Sequence, residues 1–283
     1  MTWQVAAAVL AAWCVAAGAA AQERPAADTT ATRRRQHLVT LMRRRRWWAG
    51  VGLTGIGMVL HLAALSTAPL VLIQPLGVSG LLVAVWLAAR WRGRRITAAE
   101  LAGGIAVSIG LVGLVLVLPH RTTAETPTGI GIAVSVLTVL ALAGLAAAVG
   151  PRLGTRARAA GSALAAGACF GVTAALARAV AIAVSHDPAA LWHWRTAAGV
   201  VTAVTGAVLL QDAYRAGHFA LSYAVLLLSD PLVAAVIGVS VMGEAMPLEP
   251  AASLALAASA LAVAVGVVTL AGSARSGRPV NNP

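Results

Sequence analysis

Leu72-Ile73-Gln74-Pro75-Leu76 and Leu228-Ser229-Asp230-Pro231-Leu232 are the two stretches on which the fold turns. Each sets a polar residue directly before a proline inside a long apolar run. Each is followed by a further apolar stretch, a short polar loop and another Ala/Gly-rich segment. A charged or amide side chain in such a setting has meaning only if the solvent around it is known.

Composition identifies that solvent. Of the 283 residues, 59% are apolar and 11% charged, with a mean hydropathy of +0.84. Soluble domains are about 45–50% apolar and about 25% charged. A water-soluble chain of this size cannot hide so much apolar surface, so lipid must cover most of it. Nine segments are long and apolar enough to cross the roughly 20 residues of a hydrocarbon core: 3–21, 47–66, 69–90, 98–118, 129–149, 159–184, 190–211, 217–242 and 251–272. They show no strand alternation and are rich in Ala, Leu and Gly, which selects helices over barrel strands. The expected fold is all-α: a polytopic membrane protein of about nine transmembrane helices.

Charge gives the orientation. All 21 basic residues are arginines, a bias typical of a GC-rich genome, and the net charge is +12. In a soluble chain that charge would suggest nucleic acid. Here the arginines lie in short loops, so no nucleic-acid partner is expected. With the 22–46 loop inside, Arg24, Arg33–Arg35 and Arg43–Arg46 are cytoplasmic, and the alternate loops add Arg90, Arg92, Arg94, Arg95, Arg152, Arg156, Arg158, Arg215, Arg275 and Arg278. Only Arg121 falls outside. This asymmetry places the N-terminus outside and the C-terminus in the cytoplasm of a plasma (inner) membrane. Ala19-Ala20-Ala21 resembles a signal-peptide end, but a signal peptide carries its charge ahead of the apolar run, and here the charge follows. The first segment is therefore expected to stay. Trp47, Trp48 and Trp91 fall at cytoplasmic borders, and Trp3, Trp192 and Trp194 near external ones, as interfacial anchors do. The Arg33–Arg46 stretch reads either as a topology-determining loop or as a segment lying on anionic lipid.

The two polar-Pro pairs are 156 residues apart, an offset that carries segments 1–4 approximately onto segments 6–9. Five helices of displacement reverse the direction through the membrane, so the halves are expected to be inverted repeats. Residues 1–118 form the first, 119–150 the connecting helix, 151–272 the second and 273–283 a cytoplasmic tail. Secondary transporters use this plan and hold substrate near the midplane where the halves meet.

With Ala68-Pro69-Leu70-Val71-Leu72-Ile73-Gln74-Pro75-Leu76-Gly77, Ser229-Asp230-Pro231-Leu232-Val233 and Gly243-Glu244 before a last Gly/Ala-rich helix, the chain resembles the drug/metabolite transporter superfamily in its EamA-like and NIPA-like branch. The resemblance covers roughly 47–118 and 159–272. It departs from the pattern in its nine segments, where many members have ten, and in Arg92-Gly93-Arg94-Arg95 after the third. In its NIPA-like form the resemblance implies magnesium transport.

Ionisable groups at bilayer depth are costly and are usually paired or functional. Asp230 stands near the centre of the eighth segment. Pro231 cannot donate to the carbonyl of Leu227, so a kink is expected there, as at Pro75. Tyr223 shares the face of Asp230. Arg178, about 10 Å from the external end of the sixth segment, shares a face with Gly167, Gly171, Ala174 and Ala175 and would neutralise Asp230 in a salt bridge. Snorkelling outward is its alternative. Arg195 starts a stripe with Ala198, Thr202 and Gly206, suited to an external vestibule or again to snorkelling. Gln74 is the pseudo-symmetric mate of Asp230. His61 reads as a packing residue, and His193, Asp212 and Tyr214 as interface residues.

The expected substrate or ion pathway is thus Asp230, Arg178, Gln74, Arg195, Tyr223 and Thr202, with no catalytic residue, resident metal or cofactor. Cys14 and Cys169 are too few for a zinc site or disulfide framework, and neither a Walker lysine nor a His-Glu-x-x-His motif occurs. The reading favoured is a secondary transporter of a small anionic or zwitterionic metabolite, with Asp230 a coupling-proton site. A divalent-cation transporter competes with it, since Glu125, Asp187, Glu244 and Glu249 face outside against one arginine. A non-transporting assembly factor using its Gly/Ala faces, and a homodimer, are further possibilities. Single cysteines test the orientation: a thiol at residue 283 should react with an impermeant reagent only from the cytoplasm, and one at residue 125 only from outside.

Overall fold

The computed structural model describes residues 2–28, 34–65, 79–117, 129–242 and 249–273. Among them there is no strand. The helices are α1 (Thr2–Ala27), α2 (Arg34–Met42), α3 (Arg45–Leu65), α4 (Gly80–Trp91), α5 (Ala98–Val117), α6 (Gly129–Val149), α7 (Thr155–His186), α8 (Trp194–Arg215), α9 (Phe219–Met242) and α10 (Pro250–Ser273). Short 3₁₀ turns at Gly150–Arg152 and Pro188–Trp192 precede α7 and α8.

Each of the nine apolar segments overlaps one of these helices, whose ends differ from the segment ends. Six described helical stretches are long and apolar enough to cross a membrane: 6–27, 98–117, 129–152, 155–177, 194–215 and 250–273. Gly80–Trp91 is a shorter apolar helix, and Phe219–Ser229 is a shorter apolar stretch of α9. Leu254 and Val268 on α10, and Ile130 and Leu137 on α6, stay largely uncovered by protein. Apolar faces of this extent belong against lipid, and the chain is a polytopic membrane protein.

Helix ends differ from the hydropathy boundaries. The 22–46 stretch is not one loop: α1 runs on to Ala27 through Gln22, Glu23, Arg24 and Pro25, and α2 and the start of α3 fill most of the rest. Polar residues end an apolar count, but they do not end a helix whose side chains find partners. The α-helix of the seventh segment starts only at Trp194, after a 3₁₀ turn at Pro188–Trp192 that Asp187 caps by accepting from the Ala189 N–H at 2.9 Å.

α1 packs on α3 and α4, α7 on α8, α9 and α6, and α5 on α10. Lipid offers no hydrophobic gain for helix association, so contact depends on small residues that let backbones approach. At the α1–α3 crossing, a Cβ on Gly18 would stand 2.3 Å from Thr54 Oγ1 and 2.7 Å from the Gly50 carbonyl oxygen. At the α5–α10 crossing, one on Gly266 would stand 2.7 Å from the Gly103 carbonyl oxygen. Neither site admits any side chain.

The arginine-rich ends of the helices lie together: Arg24 at the end of α1 donates to the Trp91 carbonyl at the end of α4 (2.9 Å), and Arg46 at the start of α3 stacks over the Trp91 ring, 4.7 Å from its centre. Gly50→Val should therefore lower stability in detergent by about 1–3 kcal/mol or more, by overpacking the α1–α3 contact. Gly52→Val, one turn-half away with open space around it, should change it by less than about 0.5 kcal/mol. Melting curves of the two variants check this.

Candidate functional site

The α1–α3 crossing carries polar residues into the interior one turn further on. Gln22 and Glu23 are 7% and 1% exposed. Gln22 donates to Thr54 Oγ1 of α3 (3.2 Å) and accepts from Gln211 Nε2 of α8 (2.9 Å). Thr54 in turn donates to the Gly50 carbonyl at 3.0 Å. The Gln211 side-chain Oε1 and the Tyr214 hydroxyl, one turn along α8, are buried without a hydrogen-bond partner.

Glu23 is held by Arg92, just past α4, in a two-point contact: Arg92 Nε donates to Oε2 at 3.2 Å, and a terminal guanidinium nitrogen donates to Oε1. Fork-to-carboxylate pairs are among the strongest hydrogen-bonded ion pairs, and removing one partner strands the other charge at a cost of about 3–5 kcal/mol. Beside them Arg94 holds Glu100 through two bonds of 2.7 Å. Thr97 and Glu100 close a reciprocal capping box at the start of α5 (3.0 and 3.1 Å), which aims Glu100 back at Arg94.

The layer continues through Asp212, 3.8 Å from Arg158 of α7, and through His37 of α2. Trp48 Nε1 donates to the Met42 carbonyl (2.8 Å) and fixes the α2–α3 turn, so α2 folds back with His37 and Leu41 fully buried. Neither ring nitrogen of His37 has a partner. Burial first, then the positive field of Arg215 and more weakly of Arg158, opposed by Asp212, push the imidazole down to about 4. Asp212 and Tyr214, read from sequence as interface residues, are both interior.

The residues expected to form the pathway are distributed as follows. Tyr223 is buried in the layer, stacked on Phe219 (5.7 Å), which lies 5.3 Å from Tyr214. Thr202 is buried against α7, where its hydroxyl meets that of Thr173 at 2.8 Å. Gly206 of the same stripe packs on Ala166 and Phe170. Arg195 is half-buried with its Nε unpartnered. Gln74 and Pro75 lie outside the described residues. Arg178, Asp230 and Pro231 belong to the helices α7 and α9, but their side chains lie outside the described residues, and the expected Arg178–Asp230 bridge with them. A Cβ on Gly167 of α7 would meet Ser229, the residue before Asp230, and Arg178 stands about 16 Å further along α7 by helical rise.

Sequence reasoning passed over Gln22, Glu23 and Gln211. The available signal was Gln22-Glu23-Arg24 directly behind an apolar run with no helix-breaking glycine between them.

Residues 19–149 match the family model for the magnesium transporter NIPA. NIPA proteins belong to the drug/metabolite transporter, EamA-like superfamily. The match is somewhat under half of the chain; it begins in α1, ends with α6 and includes Gln22, Glu23, Thr54 and Arg92. No curated protein and no solved structure gives a significant match.

His37 makes stability pH-dependent. Unfolded, the imidazole protonates below its ordinary value of 6.5; folded, it does so only near 4. Between those limits the unfolded chain binds more protons, so stability falls as pH drops, by about 2 kcal/mol at pH 5. His37→Leu should remove that part of the decline, which melting curves at pH 7, 6 and 5 will show.

Proposed function

We propose that the chain is a membrane transporter that carries a divalent cation, magnesium being the cargo to which the family match points. The match over residues 19–149 carries this reading. The chemistry of the buried layer supports it: Gln22, Glu23, Gln211 and Tyr214 put amide, carboxylate and hydroxyl oxygens on adjoining positions of α1 and α8. Mg²⁺ takes oxygen ligands, usually one or two carboxylates, and keeps several of its waters.

The proposed architecture is nine membrane-spanning helices in two inverted halves. Helix pairing supports it: α1 packs on α3 and α4 as α7 packs on α8 and α9, while α5 and α10, the last helix of each half, pack on each other. Arginine placement supports a cytoplasmic arginine-rich end. A cation then arrives on the arginine-poor face, where Asp187 and Glu249 are exposed, passes the Asp230 level and leaves past Glu23. Arg92 occupies Glu23 in the present arrangement. A hydrated cation reaching that carboxylate competes with the guanidinium, so the Glu23–Arg92 pair acts as a barrier at the cytoplasmic side that opens when cargo takes its place. An inside-negative membrane potential favours entry of a divalent cation by about 4.6 kcal/mol per 100 mV, which is twice the single-charge value. Such a carrier makes and breaks no covalent bond in its cargo.

The buried Nε of Arg195 favours a second reading, transport of a small anionic metabolite. Proteoliposomes loaded with a magnesium-sensitive dye separate the two. The cation reading expects Mg²⁺ influx that rises with an inside-negative potential, falls at least tenfold in Asp230→Asn, and falls in Glu23→Gln while the protein stays in the membrane. Wild-type liposomes without Mg²⁺ flux that exchange a labelled organic anion would establish the metabolite reading instead.

A further inference from the structure

We propose that a cavity at the arginine-rich ends of α6, α7 and α8 binds a phosphate group carrying a P–OH, either free phosphate or a phosphomonoester headgroup. The cavity has a volume of about 240 Å³, and its polar wall is formed by Arg158, Ser162, Asp212 and Arg215, with the Gly150-Pro151 turn at one side. It is separate from the Glu23–Arg92 contact, and the inference stands whether or not the transport reading does.

Three features select this ligand. The first is charge. Arg158 and Arg215 line the cavity together with Asp212, and Arg158 approaches Asp212 only to 3.8 Å, beyond hydrogen-bond distance, so its donors are not committed to that oxygen. Guanidinium forks match phosphate oxygens in geometry as well as charge.

The second feature is size. Pockets for drug-sized molecules run from about 300 to 1,000 Å³. This one is smaller and has room for a single tetrahedral oxyanion or headgroup, not a nucleotide.

The third is Asp212. An ionised carboxylate only accepts hydrogen bonds, and at 4% exposure it repels a fully deprotonated oxyanion. Hydrogen phosphate at neutral pH, and a phosphomonoester in its monoanionic form, carry an O–H that donates to Asp212 while the other oxygens accept from Arg158, Arg215 and Ser162. Sulfate and phosphodiesters have no such proton and leave the carboxylate facing bare oxygens. The site should therefore discriminate by protonation, not by shape.

The test uses the full chain in uncharged detergent, titrated with inorganic phosphate and, separately, sulfate at pH 7, with binding read by calorimetry and by the shift in melting temperature. The proposal expects saturable phosphate binding, sulfate at least tenfold weaker, and phosphate binding at least tenfold weaker in Arg215→Gln. In Asp212→Asn, whose amide donates to bare oxygens, the preference for phosphate over sulfate should be lost while melting remains cooperative. Nanodiscs holding phosphatidic acid, compared with nanodiscs holding phosphatidylglycerol, identify the source. Displacement of phosphate by phosphatidic acid alone assigns a lipid headgroup, and displacement by neither lipid assigns free phosphate. Absence of saturable phosphate binding, equal affinity for sulfate in the unaltered protein, or unchanged affinity in Arg215→Gln would overturn the proposal.

Discussion

Gly18 and Gly50 let the backbones of α1 and α3 meet with no side chain between them, and the polar interior follows from that approach. With the crossing so close, the next turn of α1 brings Gln22 into bonding distance of Thr54 and Gln211. Glu23, one residue on, points to the other side, where Arg92 receives it. A single added methyl group at either glycine would push the helices apart. Gln22 would then lose its bond to Thr54, and a buried polar group without its partner is costly.

The same end of the bundle carries an excess of positive charge, and the structure handles it unevenly. Arg92 and Arg94 are each bound to a buried carboxylate. Arg46 covers a tryptophan face. Arg158 faces Asp212 at a longer distance and borders a cavity that Arg215 also lines. Tight ion pairs on one side of the bundle and the longer Arg158–Asp212 contact on the other separate two kinds of chemistry: the first closes off a carboxylate, and the second holds the Arg158 guanidinium beyond hydrogen-bond distance of its carboxylate.

The helical class and the clustering of arginines could be read from sequence because both rest on local quantities, hydropathy over a window and charge within loops. Helix ends could not, because a hydropathy count stops at Gln22 whereas the helix continues to Ala27. What lets it continue is supplied from far away in the chain, by Arg92 and Gln211, and no local pattern announces such partners. Thr97-Ala98-Ala99-Glu100 is the opposite case: its capping box is a four-residue signal, and the structure forms it. Asp212 and Tyr214 looked like border residues because they sit near the end of an apolar run; packing of α2 and α7 over that end buries them.

The reach of those contacts along the chain has a consequence for how the protein is made. As α1 leaves the ribosome, Glu23 has no Arg92, which is synthesised 69 residues later, and Gln22 has no Gln211, which comes 189 residues later. The end of α1 is therefore suited to water or the headgroup region until α4 arrives, and its amide contact waits for α8. Insertion of the first helix and its final seating are separate events in time. The later of them couples the beginning of the chain to near-completion of the bundle.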